Sequence, residues 1–192
     1  MAWDSSRPRR AGSRASRLLQ NDSILDLAGS NKPRFVVYYT SMKPTIYLGG
    51  DHAAFELKKK IAAYLKTRGY TVRDFGPHEY NPDDDYPDFV IPVARAVSKH
   101  KGSLGITVCG TGIGECIAVN KIRGIRAALA YDLYTARMSR QDNNANILCL
   151  GGRTTGKNFT LVKKILNTWL TTPFSNAPRH VRRLKKIAKY EA

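Results

Sequence analysis

Leu104-Gly105-Ile106-Thr107-Val108-Cys109-Gly110-Thr111-Gly112-Ile113-Gly114 passes from a continuous apolar run into three alternate glycines. An apolar run without alternation fits a strand buried on both faces of a parallel sheet. The glycines fit a tight turn opening a helix over residues 115–121. Outward from this unit the pattern repeats. Residues 45–49, 71–75, 126–130 and 147–150 read as further strands. Helical spacing covers residues 53–68, 87–101, a stretch ending at Arg140, and residues 157–171, with Gly69 and Gly102 placed as C-caps. A last basic helix spans residues 179–190. Strands alternating with helices at this spacing pair in parallel through right-handed crossovers. The expectation is an α/β fold: a Rossmann-like, doubly wound, five-stranded parallel sheet with flavodoxin-like order, in one domain with a C-terminal basic helix.

The 192 residues suit one such domain, and 42% hydrophobic content supplies a core, which excludes wholesale disorder. No apolar run approaches the roughly 20 residues of a membrane-spanning helix. Three cysteines, Cys109, Cys116 and Cys149, form neither a CxxC pair nor a secreted disulfide framework, so a reducing, cytoplasmic location is expected. The net charge is +17, of which +9 lies in residues 153–192. Such a tail fits a solvated face, an anion-binding wall or a nucleic-acid arm. Residues 1–41 share none of the α/β periodicity and are expected to be a disordered extension. Their Arg and Ser content leaves organellar targeting as the alternative, with Asp4, Asp22 and Asp26 against it.

In open parallel sheets ligands bind beyond the carboxyl ends of the strands. That rule gathers Gly49-Gly50-Asp51-His52, residues 109–114 and Gly151-Gly152-Arg153 into one crevice. The G-x-G-x-G spacing is not the dinucleotide fingerprint G-x-G-x-x-G. It can aim main-chain N–H groups at an anion, or serve only as a tight turn with an inert cysteine. Beside the positive end of a helix, Cys109 is expected to be acidic enough to act as a base. Asp51 can be an ordinary N-cap or a functional carboxylate. His52 has no capping duty and suits a phosphate or hydroxyl. Arg179, Arg182 and Arg183 share one helical turn, as a phosphate site or surface charge. His78 and His100 are expected at the surface, Cys116 and Cys149 as small buried residues. No cluster has metal-ligand spacing, so no metal is assigned.

Taken jointly, Gly49-Gly50-Asp51-His52-Ala53-Ala54-Phe55-Glu56-Leu57-Lys58, Asp85-Tyr86-Pro87-Asp88-Phe89, the turn from Cys109 to Gly114, Arg126-Ala127-Ala128-Leu129 and Asn143-Asn144-Ala145-Asn146-Ile147-Leu148 resemble the type B ribose-5-phosphate isomerase family. That family includes the galactose-6-phosphate isomerase subunits. The tail from Thr172 to Arg183 looks like the enzymes of trypanosomatid protozoa. The resemblance implies isomerisation of ribose 5-phosphate and ribulose 5-phosphate through an enediolate, in the non-oxidative pentose phosphate pathway, without metal or cofactor. It implies Cys109 as the C2/C1 base, and an anion hole from the amides of Gly110, Thr111, Gly112, Ile113 and Gly114. Thr111 and Asp51 would act on hydroxyls during ring opening, with Asp85, Tyr86 and Asn143 toward the sugar. His52, Arg153, Arg179, His180 and Arg183 match phosphate-binding positions. A homodimer with shared sites is implied, with no nucleic-acid or membrane partner.

Two positions depart from the pattern. Asp142 stands where many members carry a ring-opening His, so slower ring opening, a role for Asp51, or a buried Asp142 with raised pKa is expected. Glu115 matches the base of the family branch that lacks the cysteine, so this chain carries both candidates, with Cys109 favoured by its strand-end placement. Alternatives are an isomerase of a hexose 6-phosphate (allose or galactose 6-phosphate) and a non-catalytic relative that binds nucleic acid.

Overall fold

In a computed structural model of the chain, residues 43–191 are described. The expected extension at residues 1–41 lies outside them. Five parallel strands form one sheet: β1 (Ile46–Gly50), β2 (Val72–Asp74), β3 (Leu104–Cys109), β4 (Ala127–Leu129) and β5 (Ile147–Gly151). Between and after them run α1 (Phe55–Thr67), α2 (Tyr86–Lys99), α3 (Ile113–Val119), α4 (Leu133–Gln141), α5 (Phe159–Thr171) and α6 (Pro178–Ile187).

Strand side chains alternate between two cores. Ile46, Leu48, Ile106, Val108, Leu148 and Leu150 pack against α1, α4 and α5, where Trp169 is fully buried. Tyr47, Ile147 and Cys149 face the opposite way, toward Val90, Val93 and Val97 of α2 and Val119 of α3. The sheet is thus covered on both sides, as continuous apolar strands require.

The strand order is β2-β1-β3-β5-β4. The sheet is doubly wound as expected, but the flavodoxin-like order, which would seat β4 beside β3, is not what forms. The reason is apolar content. Ile147-Leu148-Cys149-Leu150-Gly151 is buried along its whole length, whereas Ala127-Ala128-Leu129 is only half-buried. The strand that can fill both cores takes the interior place, and the small one takes the edge. Crossovers leave β1 and β3 in opposite directions, so the switch point lies between their carboxyl ends. There Cys109 pairs with Gly151, and Gly50 with Val108.

At the other edge, β2 is fastened by a part-buried charge pair. Lys58 of α1 is 1% exposed, and its Nζ lies 2.7 and 2.6 Å from the two carboxylate oxygens of Asp74. Asp74 Oδ1 also accepts from the Gly76 N–H at 2.9 Å, where the acidic loop begins.

Candidate active site

Residues at the carboxyl ends of β1, β3 and β5 form a first cluster. Asp51 follows β1 and is 7% exposed. It makes no side-chain cap bond, and its Oδ1 is buried without a hydrogen-bond partner among the described residues. Burial raises its pKa, against the opposing charge of His52. The Asp51 carboxyl is therefore not employed as an N-cap. Gly152 and Arg153 hold the turn edge: their N–H groups donate to Cys109 O at 2.7 Å and Gly110 O at 2.8 Å. Arg153 is exposed and its guanidinium lies over Gly110.

Cys109 ends β3 at 5% exposure, with the Gly112 N–H donating to its Sγ at 3.2 Å. That bond needs the turn to reverse sharply, and Gly112 does so at φ +85°, where an L side chain would be strained. Gly114 is required by close approach: a Cβ there would sit 2.9 Å from the Tyr86 hydroxyl. Tyr86, at the start of α2, is thereby pressed onto the glycine turn. Thr111 is exposed, its Oγ1 accepting from the Ile113 N–H at 3.4 Å.

The expected acidity of Cys109 is not what this surrounding produces. Burial pushes the thiol up, aided by the Glu115 carboxyl, and the amides of the turn only partly offset the rise. Glu115 is fully buried. Its Oε1 accepts from the Leu150 N–H at 3.1 Å, and Oε2 has no partner among the described residues. Burial holds this carboxyl well above the ordinary value, opposed by the Cys109 thiol. Glu115 is therefore a buried carboxyl whose charged form is disfavoured and which is tied to β5.

Cys149 is buried as expected, but Cys116 is only half-buried, and hydrogen bonding with Cys149 lowers its pKa to about 7. His78 and His100 are exposed, although His100 stacks against Tyr47 with ring centroids 5.7 Å apart.

The remaining site residues form a second cluster elsewhere. α4 leaves the carboxyl end of β4 and returns across the sheet, so Asp142, its C-cap, lies at the amino ends of the strands. Arg126, just before β4, donates to the carbonyls of Asn143 and Asn144 at 3.1 Å. Gly105 N–H, at the start of β3, donates to Asn146 O at 2.8 Å. Along six-residue β3, the two ends are separated by about 17 Å.

α5 also returns to this end. The segment after it is tied to α4 where Ser175 N–H donates to Gln141 O at 3.0 Å. His180 is 2% exposed, with Nδ1 2.7 Å from Ser175 Oγ and Nε2 accepting from Arg179 Nε at 2.9 Å. With both ring nitrogens engaged, His180 orients Arg179 rather than reaching a ligand itself. Asp142 Oδ1 stands 3.6 Å from His180 Nδ1, its side chain a third exposed, so it is not the buried carboxyl entertained from sequence. Arg179 and Arg183 are exposed. The crevice expected at residues 49–52, 109–114 and 151–153 thus forms within one chain, while Asp142, Asn143, Arg179 and Arg183 lie at the opposite end of the sheet.

The acidic loop supplies a residue that sequence reasoning missed. Asp85 is exposed at the start of α2 and makes no cap bond. Its neighbour Asp84 is the engaged one: Oδ1 accepts from the His52 main-chain N–H at 2.9 Å and lies 2.7 Å from His52 Nδ1. Three consecutive aspartates offered no signal to tell them apart. Among the described residues no His, Cys, Asp or Glu cluster could hold a metal, and no helix is long and apolar enough to cross a membrane.

The ribose/galactose isomerase family model matches residues 46–187. Ribose-5-phosphate isomerase B of Mycolicibacterium paratuberculosis is 45% identical over 146 residues, which cover 76% of this chain and 91% of that protein. The crystal structure of ribose-5-phosphate isomerase B from Mycoplasma genitalium with bound ribulose-5-phosphate superposes with a TM-score of 0.74 at 42% identity, covering 78% of this chain and 97% of that one. Type B ribose 5-phosphate isomerase of Trypanosoma brucei gives a TM-score of 0.74 at 43% identity, covering 78% of this chain and all of that one (100%).

Proposed function

This chain belongs to the ribose/galactose isomerase family, and on that premise we propose that it interconverts D-ribose 5-phosphate and D-ribulose 5-phosphate with Cys109 as the proton-transferring base. The observation that carries the assignment of the base is the sulfur at the end of β3, met by a main-chain N–H at 3.2 Å at the head of a glycine turn that Arg153 approaches at Gly110 and Tyr86 at Gly114. In the opened aldose, the Cys109 thiolate takes the C2 proton. The C–H electrons form the C1–C2 double bond, and negative charge passes to O1. Return of the proton from sulfur to C1, with transfer of the O2 proton to O1, leaves the ketose and regenerates the thiolate. Donors of the glycine turn stabilise the enediolate oxygen; one such donor is typically worth about 10²–10³ in rate. Asp51, with its unpartnered oxygen, and Thr111 serve the hydroxyls.

The resting thiol is raised, so its active form grows as pH rises, and the Gly112 N–H favours the thiolate when it forms. Glu115 is the weaker candidate for the base, because its Oε1 is already engaged by the Leu150 N–H and burial disfavours its charged form.

Asp142, Asn143, Arg179 and Arg183 lie too far from Cys109 to act on the same sugar within one chain. The reading that unites them is a homodimer in which the second copy brings its Asp142–Arg183 end to the first copy's Cys109. Exposed Ile113 (55%) and Ile117 (58%), four residues apart on α3, and Tyr131 (60%) and Tyr134 (68%) offer an apolar surface beside the glycine turn for that contact. Substrate phosphate would then lie between His52 and Arg153 of one copy and arginines of the other. The reaction belongs to the non-oxidative pentose phosphate pathway, and the location proposed is the cytoplasm.

The direct test is conversion of ribose 5-phosphate to ribulose 5-phosphate, with allose 6-phosphate run alongside. Turnover of the pentose supports the proposal. Turnover of the hexose alone, or a salt-sensitive RNA complex without turnover, overturns it.

A further inference from the structure

His52 is held twice by a single oxygen. Asp84 Oδ1 takes both its main-chain N–H, at 2.9 Å, and its ring Nδ1, at 2.7 Å. The Asp84 side chain is 6% exposed, against 24% for His52, and its Oδ2 is buried with no partner among the described residues. Tyr80 presents its ring perpendicular to the imidazole, with centroids 6.4 Å apart. His52 and Tyr80 share a cavity of about 380 Å³ with Lys60 and Gly152.

We propose that Asp84 is a positioning residue for substrate phosphate, fixing His52 through ring and main chain so that Nε2–H is the group offered to the phosphate. The inference rests on the isomerase reading above.

With Nδ1 committed to the carboxylate, the neutral imidazole carries its proton there and leaves Nε2 as a bare lone pair. A lone pair repels a phosphate oxygen. Only the imidazolium donates from Nε2, so this tautomer makes phosphate binding depend on protonation. Asp84 also supplies the charge that maintains it: its hydrogen bond raises the His52 pKa, with desolvation opposing and Asp51 assisting. The other charged or titratable groups around the imidazole are Glu56, Lys60 and Tyr80 in the same cavity and Arg153 beyond Gly152. None of them has a hydrogen bond to the ring, so Asp84 is the bonded counter-charge.

Asp84→Asn keeps an oxygen able to accept both bonds and removes only the charge. Relative to wild type, KM for ribose 5-phosphate should rise on the order of 10-fold at pH 8, the scale of a charge-assisted bond. At pH 5.5, where the imidazole protonates without help, the ratio should shrink below about 2-fold, with kcat near wild type at both pH values. His52→Asn should raise KM at both. In the free enzyme, the NMR titration of the His52 ring should move to lower pH in Asp84→Asn, and inorganic phosphate should shift that signal less at pH 8 than in wild type. A KM increase independent of pH, a loss confined to kcat, or an unmoved His52 titration overturns the inference. If wild type turns over no ribose 5-phosphate, the functional reading fails, while the titration and its response to inorganic phosphate still judge Asp84.

Discussion

Glu115 Oε1 accepts the main-chain N–H of Leu150 at 3.1 Å, tying the first turn of α3 to the interior strand β5 through a fully buried carboxyl. The bond holds a second acidic group beside Cys109 in a fixed, engaged position. A charge there would be buried with one oxygen unsatisfied, and that cost raises the pKa of the carboxyl.

Removing each candidate base should therefore have unequal effects. Cys109→Ala is expected to lower kcat by about 10³-fold or more, whereas Glu115→Gln, which keeps an oxygen for the Leu150 N–H, should stay within about 10-fold of wild type. Steady-state kinetics on ribose 5-phosphate separate the two. Near-normal turnover in Cys109→Ala with an inactive Glu115→Gln would transfer the base role to Glu115.

The same carboxyl should leave a mark on stability. In the unfolded chain it loses its proton near the ordinary value of about 4.3, while the folded chain retains it to higher pH. Between those limits the folded state binds the extra proton, so stability falls as pH rises. His52, raised by Asp84, acts in the same direction in wild type and variant alike, and cancels in a comparison. Calorimetric Tm should thus decline less from pH 5 to pH 8 in Glu115→Gln than in wild type. Equal slopes would show that Glu115 ionises freely.

The Lys58–Asp74 pair predicts a large structural penalty far from the chemistry. Asp74→Ala leaves a nearly inaccessible ammonium without its carboxylate and frees the Gly76 N–H. Breaking such a pair from one side costs about 3 kcal/mol. Urea unfolding should show that loss; a change under 1 kcal/mol would mean that Lys58 escapes to solvent.

Element identities were largely legible from sequence because the period changes cleanly between strands and helices, and β3 was located to the residue (Leu104–Cys109). The flavodoxin-like order fails at β4 and β5, because Ala127-Ala128-Leu129 lacks the bulk for an interior strand. The first half-site followed from the carboxyl-end rule. The rule could not say that Asp142, Arg179 and His180 sit at the other end, although the return direction of α4 already implied it. Cys109 acidity was misjudged because helix-end donors are visible in a sequence and burial is not. Asp84 was hidden among three aspartates, since loop geometry alone selects the one that reaches His52.

Subunit complementation tests the central claim most directly. Cys109→Ala and an Arg179→Ala/Arg183→Ala chain would be co-expressed with different tags and purified as the mixed dimer. Each parent homodimer should be nearly inactive on ribose 5-phosphate. The mixed dimer should recover about half the wild-type rate, because one of its two sites then combines an intact Cys109 with intact arginines. A mixed dimer as inactive as its parents would contradict a site built from opposite ends of two chains.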